Sequence, residues 1–179
     1  MLELAQQHFA DPDHNGAWFD TASDAEVLFR RPANSTDSAT PAGASAIAGA
    51  LLTASALSGS EAYRSAAEAS VARAGVVPAK VPQAAGHWLT TAEALARGPI
   101  QVAVIGAAGD AARVALEAGA RWWAPGGAVV LAGQPGAKHP MLAGRDLISG
   151  VAAAYVCHGF ICDRPVTSPD DLQGQLRPQ

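Results

Sequence analysis

The chain has 179 residues, of which 49% are apolar and 16% charged, and its formal net charge at pH 7 is −4. This length suits one domain of ordinary size or two small units. The acidic balance and the scattered charges exclude a surface of clustered Lys and Arg, so no nucleic-acid partner is expected.

The N-terminal half predicts helices and one β-hairpin. Leu2 to Phe9 has helical character, and Ala17 to Thr21 and Val27 to Arg31 are predicted as the two strands of the hairpin. Three antiparallel helices joined by short Gly or Ser turns are predicted to follow. The first helix begins near Pro41, and the second runs from Glu61 to Ala74. The third shows an apolar stripe from Ala85 to Leu95.

The periodicity changes after Arg97, where a small α/β unit is predicted. Its first three elements form a βαβ unit with a parallel strand pair: Ile100 to Ile105, Asp110 to Ala120, and Ala128 to Ala132. A third strand is predicted from Ala152 to Cys157, and Ser168 is predicted to cap a short last helix. The predicted class is therefore α+β, with domains at 1–97 and 98–179.

The sequence also predicts where the chain resides. Met1 to Leu4 shows neither the basic start nor the apolar run of a signal peptide, so a cytoplasmic location is expected. Ser38 to Ser60 is uncharged and long enough to span a bilayer, but its many Ser, Thr and Gly residues make insertion unfavourable. A buried helix is the preferred interpretation, and no membrane partner is expected.

Trp18, Phe19 and Asp20 are the best candidates for a substrate surface. Sugars stack on aromatic rings while carboxylates accept their hydroxyl protons, and an aromatic pair beside an Asp supplies both. The alternative is structural, with one ring in the core and Asp20 ending a strand. Asp37 is either a residue of the helix N-cap region, which we favour, or a cavity carboxylate.

The turn from Gly106 to Gly109 follows a predicted strand and opens a helix, as a nucleotide-binding turn does. It has only the pattern G-x-x-G, whereas the full dinucleotide fingerprint is G-x-G-x-x-G, and no acid follows the second strand to hold a ribose. A tight strand-to-helix turn is the preferred interpretation, and no cofactor is expected.

Cys157 and Cys162 are a candidate redox pair. Their spacing fits neither the CxxC redox motif nor the paired ligands of a zinc site, so no metal is expected. Two free buried thiols are the expected state in a cytoplasmic chain, with redox state mattering little to stability. A reversible disulfide across the loop is the alternative.

Two blocks of the sequence resemble the spermatogenesis-associated, thioredoxin-domain protein family. One runs from Ala154 to Leu172 and holds both cysteines, and the other joins the Gly16 to Thr21 run to Arg31-Pro32, Asp37 and the Pro41 to Ser45 loop. Ala42 and Ala44 depart from the family, which has Ser and Asn at these positions.

The resemblance implies a partial (α/α)6 toroid followed by a small α/β piece. Such toroids are similar to those of N-acylglucosamine 2-epimerases and six-hairpin glycosidases, which act in carbohydrate metabolism. Because the thioredoxin-like domain and most of the toroid have no counterpart here, the chain is expected to be a C-terminal fragment that is inactive alone.

Two functions stay open at this stage. One is the remnant of a sugar-processing enzyme whose catalytic residues are unknown and whose ligand is a sugar. The other is a non-catalytic packing or redox-linked interaction module. Its partner would be the missing N-terminal part or a second copy of the chain.

Overall fold

A computed structural model of the chain describes residues 1–26, 29–159 and 161–177. Helices and a four-stranded mixed sheet form the fold, which confirms the predicted α+β class. The chain divides into two compact units. The first comprises Met1–Ser55 and Gly59–Arg97, and the second comprises Ala56–Ser58 and Gly98–Gln179.

The first unit is helical. Its helices are α1 (Leu2–Phe9), α2 (Gly43–Ser58, whose last turn groups with the second unit), α3 (Glu61–Ala74), α4 (Val76–Lys80) and α5 (Gly86–Arg97). Its core gathers fully buried side chains from three of them, including Leu51 of α2, Ala67 of α3 and Trp88 of α5. Small alanines between these larger residues let the helices approach closely, since alanine adds little volume.

The predicted hairpin is wrong where the structure describes it. Ala17–Thr21 forms no strand, and its sole ladder contact is an isolated antiparallel bridge between Ala10 and Trp18. The N–H of Phe19 bonds the carbonyl of Phe9, whereas the N–H of Asp20 bonds that of Pro32. Because neighbouring residues pair with different segments, no continuous ladder forms. Val27 and Leu28 of the second predicted strand lie outside the described residues, and residues 29–31 are not a strand.

Helix α3 spans Glu61–Ala74, the bounds that the sequence predicts, and Gly75 follows it in a right-handed conformation with a φ of −54°. The chain therefore continues into the short α4, then turns at Pro82–Ala84 before α5 begins.

The second unit is built on the sheet order β2-β1-β3-β4. Its strands are β1 (Ile100–Ile105), β2 (Val129–Gly133), β3 (Ala153–His158) and β4 (Ile161–Cys162), and its helices are α6 (Ala111–Trp123) and α7 (Pro169–Leu176). The parallel pairing of β1 with β2 confirms the predicted βαβ unit. β3 runs antiparallel to β1 on its other side, and Ser168 caps α7 as predicted, accepting a bond from the N–H of Asp171.

Strand β3 is covered on both faces, as its small apolar residues predict. Ala154 and Val156 belong to the core cluster that includes Leu116 of α6 and Leu172 of α7. Tyr155 points to the opposite cluster. Cys157 is also nearly fully buried, with 1% of its surface exposed.

None of the helices within residues 1–26, 29–159 and 161–177 combines the length and apolar character that crossing a bilayer requires.

Candidate functional site

An open cleft with a volume of about 500 Å³ lies in the first unit. It is formed by the loop after α1, by residues near position 31, and by parts of α3 and α5. Its lining mixes aromatic and charged side chains, including Asp11, His14, Trp18, Phe19, Arg30 and Arg73. Two of the four predicted substrate residues, Trp18 and Phe19, therefore lie on the cleft, whereas Asp20 and Asp37 lie outside its lining.

Trp18 is largely a core residue. Only 7% of its surface is exposed, and its Nε1–H donates to Ser70 Oγ at 2.9 Å. The Ser70 hydroxyl in turn donates to the carbonyl of Ala66 at 2.7 Å, so the chain of hydrogen bonds ends within α3. Because so little of Trp18 is exposed, little of its ring is free for a ligand to stack on.

Replacing Ser70 with Ala is expected to lower the free energy of unfolding by about 1 kcal/mol, because it leaves the buried Trp18 N–H without a partner. Chemical denaturation measures the change. Trp18→Phe removes the donor, so Ser70→Ala should cost clearly less in that background. Equal costs in both backgrounds would show that the hydrogen bond contributes nothing.

Gly16 explains how Trp18 reaches the core. A Cβ atom at position 16 would lie 2.3 Å from the carbonyl oxygen of Ala69, and the residue has a φ of +76°. Both the contact and the left-handed backbone require glycine. The loop after α1 therefore lies directly against the backbone of α3.

Phe19 is half-buried, and the Arg31 guanidinium covers one of its faces at 4.0 Å from the ring centroid. Arg31 is held there because its Nη2 donates to the carbonyls of His8 and Thr21. A sugar could stack only on the remaining part of the ring. Sequence reasoning missed this cation–π pair, since nothing in the spacing of Phe19 and Arg31 indicates it.

Asp20 is exposed and does not line the cleft. Its Oδ2 accepts a hydrogen bond from the N–H of Asn34 at 2.9 Å. This bond fixes the segment that leads to Asp37, so the observed role of Asp20 is to order a loop.

Asp37 is the most completely engaged of the four candidates. Its Oδ1 accepts from Ser45 Oγ at 2.6 Å and from the N–H of Ala42 at 2.9 Å, at the start of α2. Its Oδ2 accepts from the N–H groups of His87 at 2.9 Å and Trp88 at 3.3 Å, in the first turn of α5. One carboxylate therefore satisfies donors at the N-termini of two helices.

The protonation of Asp37 follows from these contacts. Burial raises the pKa of its carboxyl, but the hydrogen bonds from Ser45, Ala42, Trp88 and His87 together outweigh burial, and the net pKa is lowered. Asp37 is thus an ionised capping residue, in agreement with the favoured interpretation of the sequence.

Asp11, His14 and Arg73 bring titratable and charged side chains to the cleft, and the sequence pattern did not select them. His14 Nδ1 lies 3.0 Å from Asp11 Oδ2. The N–H of Asp13 is the main cause that lowers the pKa of Asp11; burial opposes it, and His14 and Arg73 reinforce it. These groups meet because the Asp-Pro-Asp turn folds back towards α3, which a linear motif does not reveal.

Cys157 and Cys162 form a disulfide, so the expectation of two free buried thiols is wrong. The reason is register: Cys157 of β3 and Cys162 of β4 are directly opposed in the antiparallel pair. Opposed residues project to the same face of a sheet, where their sulfur atoms meet. Cys157 is buried, whereas Cys162 is exposed.

Arg145 lies against this disulfide. Its Nη2 is 3.3 Å from the sulfur atoms of both Cys157 and Cys162. Its Nη1 donates to the carbonyl of Met141, and its guanidinium lies 5.8 Å from the ring centroid of Tyr155. These contacts hold a cation beside both sulfur atoms.

The Gly106–Gly109 turn packs closely at its first residue. A Cβ atom at Gly106 would lie 2.8 Å from the Arg113 Cβ and 2.9 Å from the Ala152 Cβ, so only glycine fits there. Asp110 accepts a hydrogen bond from the N–H of Ala112 and caps α6. The turn connects β1 to α6.

No protein-family model, curated protein or solved structure matches this chain. Among residues 1–26, 29–159 and 161–177, no group of three or more His, Cys, Asp or Glu side chains is placed to hold a metal ion. Within the described residues, the candidate sites are the cleft of the first unit and the disulfide of the second.

Proposed function

We propose that this chain is a non-catalytic, redox-linked interaction module. By the resemblance of its sequence, it is the C-terminal part of a thioredoxin-domain protein with an (α/α)6 toroid related to sugar epimerases and glycosidases. The observation that carries the proposal is the Cys157–Cys162 disulfide, with one sulfur exposed and Arg145 beside both.

A cytoplasmic location is part of the same proposal. Cytoplasmic disulfides are usually transient and serve in redox sensing or exchange, because the thiols of that compartment reduce them. Exposed disulfides are reduced more readily than buried ones. The exposed Cys162 suits such a transient bond. The proposed partner is the thioredoxin-like domain or the rest of the toroid.

Self-association is the alternative partner. Large apolar side chains are exposed on the first unit, including Leu4 of α1, Val76 of α4 and Leu89 of α5. Such residues favour association when they form contiguous patches. Sedimentation of the purified chain at several concentrations distinguishes a monomer from a dimer.

The candidate acids support a non-catalytic role. A general acid at neutral pH needs a raised pKa and a free proton to donate. Asp37 has a lowered pKa and four hydrogen-bond donors around it, and Asp20 is bound to a loop N–H. Asp37 is therefore not arranged as the general acid of a sugar reaction, and Asp20 serves to order a loop.

The purified chain is accordingly expected to show no turnover of N-acetylglucosamine, N-acetylmannosamine or disaccharides. Chromatography of the sugars after prolonged incubation measures this, with Asp20→Ala as the matched variant. Turnover by the parent chain that disappears in Asp20→Ala would contradict the non-catalytic assignment.

The redox assignment is tested by counting thiols. The chain is purified without reductant and then unfolded, and it is expected to contain no free thiol. After treatment with dithiothreitol it is expected to contain two. Two free thiols in the untreated chain would overturn the proposed redox role.

Sugar binding without turnover is the second candidate, favoured by the cleft with Phe19, Asp11 and Arg73 on its walls. Titration with N-acetylglucosamine, followed by tryptophan fluorescence, should then give a saturable change that Phe19→Ala weakens. Exposed Leu89 is absent from the cleft lining, so Leu89→Ala serves as the control.

A further inference from the structure

We propose that the Cys157–Cys162 disulfide is a directional thiol-exchange site for a partner that carries two neighbouring thiols. The incoming thiolate attacks the sulfur of Cys162, and Arg145 holds the Cys157 thiolate that leaves. This inference rests on the proposed redox-linked role, to which it adds the attacked atom, the leaving group and the chemical class of the partner.

Access determines which sulfur is attacked. A thiolate must approach a sulfur atom along the line of the disulfide bond, from the side opposite the leaving sulfur. Cys157 is 1% exposed, and its side of the bond is buried. Cys162 is exposed on β4, at the edge of the described sheet. Attack at Cys162 from solvent is therefore the open route.

Arg145 favours the same direction. A cation close to a sulfur lowers the pKa of the corresponding thiol, and a thiol of lower pKa is a better leaving group. The Arg145 Nη2 lies 3.3 Å from both sulfur atoms, and Cys157 is the cysteine that solvent reaches less. Charge stabilisation is stronger there than at the surface, because water screens it less.

His158 and Asp163 also lie beside the disulfide. His158 follows Cys157 and Asp163 follows Cys162, and their Nε2 and Oδ2 atoms are 3.4 Å apart. The Asp163 carboxylate therefore contacts the His158 imidazole, whereas Arg145 contacts both sulfur atoms. The contacts of Arg145 with Met141 and Tyr155 keep the guanidinium in place while the bond breaks.

The exchange balances as follows in atoms and electrons. The first partner thiolate forms a bond to Cys162 Sγ, the Cys157–Cys162 bond breaks, and its electron pair becomes the Cys157 thiolate. The second partner thiolate then attacks the partner's own sulfur in the mixed disulfide, which releases the Cys162 thiolate. The chain gains two electrons and, after protonation from solvent, two thiols, while the partner dithiol is oxidised to a disulfide.

The attacked atom is found by trapping the intermediate. The oxidised chain is treated with reduced glutathione, a monothiol that stops at the mixed disulfide, and free thiols are then alkylated. Peptide mass spectrometry is expected to find glutathione on Cys162 and the alkyl group on Cys157. Glutathione mainly on Cys157 would overturn the direction.

The role of Arg145 is found from rates. Reduction by dithiothreitol should be about three- to tenfold slower in Arg145→Gln than in the parent, while Arg145→Lys keeps much of the rate. Thiolate absorbance of the reduced chain should show a higher thiol pKa in Arg145→Gln. Arg164→Gln, which removes an exposed arginine of the same unit, is the control and should match the parent.

Equal rates and equal thiol pKa values in Arg145→Gln and Arg164→Gln would overturn the role of Arg145. Circular dichroism shows whether Arg145→Gln is folded. If it is not folded, the reduction rate of Arg145→Lys and the glutathione trapping on the parent chain test the proposal instead. A chain that forms the disulfide but traps glutathione on Cys157 fails this inference alone. A chain that forms no disulfide fails the proposed function as well.

Discussion

Replacing Asp37 with Ala is expected to lower the free energy of unfolding by about 3 kcal/mol. The substitution removes acceptors from the N–H groups of Ala42, His87 and Trp88 and from the Ser45 hydroxyl. These donors lie at the starts of α2 and α5. Ser45 and Trp88 are buried, so water does not replace the carboxylate as their acceptor. Denaturant titration followed by circular dichroism measures the loss.

Asp20→Ala is the matched control for this prediction. Asp20 also accepts a hydrogen bond from a backbone N–H, but it is exposed, so water can take its place. A cost within about 0.5 kcal/mol is expected for Asp20→Ala. If the two variants lose similar stability, Asp37 does not hold the two helices.

The pH dependence follows from the lowered pKa of Asp37. A carboxyl whose pKa is lower in the folded state stabilises the fold above its unfolded pKa of about 3.9. That contribution is lost as the pH falls through the folded pKa. The stability gap between the parent and Asp37→Asn should therefore be constant above about pH 5 and narrow below about pH 4.

Local signals predicted most of the second unit. Ile100–Ile105 lies between Gly98-Pro99 and Gly106 and is apolar except for Gln101, and the structure places β1 at the same residues. The Ser-Pro-Asp-Asp sequence carries the cap of α7 within four residues. These elements are predictable because the interactions that start and stop them lie within a few residues of sequence.

The first unit was less predictable because its decisive contacts are distant in sequence. Trp18 pairs with Ser70, and Asp37 with His87 and Trp88. Alternation at Ala17–Thr21 resembles a strand, yet a strand needs one continuous partner, and sequence pattern does not show whether one exists. The sequence pattern therefore selected the candidate residues, but it did not show the distant contacts that give most of them structural roles.

The disulfide illustrates the same limit at short range. The spacing of Cys157 and Cys162 fits a hairpin disulfide and a pair of free thiols equally well, since a shift of one residue in register would send the side chains to opposite faces. The observed register of β3 with β4 decides between them. Arg145, which gives the pair its electrostatic setting, comes from a separate loop that no cysteine motif includes.

Reductant is expected to lower the melting temperature of the second unit, in contrast to the behaviour of two free thiols. Closing a loop with a sequence separation of 5 removes chain entropy from the unfolded state that corresponds to about 2 kcal/mol. For a unit of this size, that change lowers the melting temperature by on the order of 10 °C. Differential scanning calorimetry with and without dithiothreitol measures the difference.

The variant with both Cys157→Ser and Cys162→Ser is the control for the effect of reductant. It should melt near the temperature of the reduced parent, or somewhat below it because a buried hydroxyl replaces Cys157, and it should not respond to dithiothreitol. A parent chain whose melting temperature is the same in both redox states would show that the disulfide contributes nothing to stability. The same comparison separates the entropic effect of the bond from the packing of the buried Cys157 sulfur, since only the first disappears when the parent is reduced.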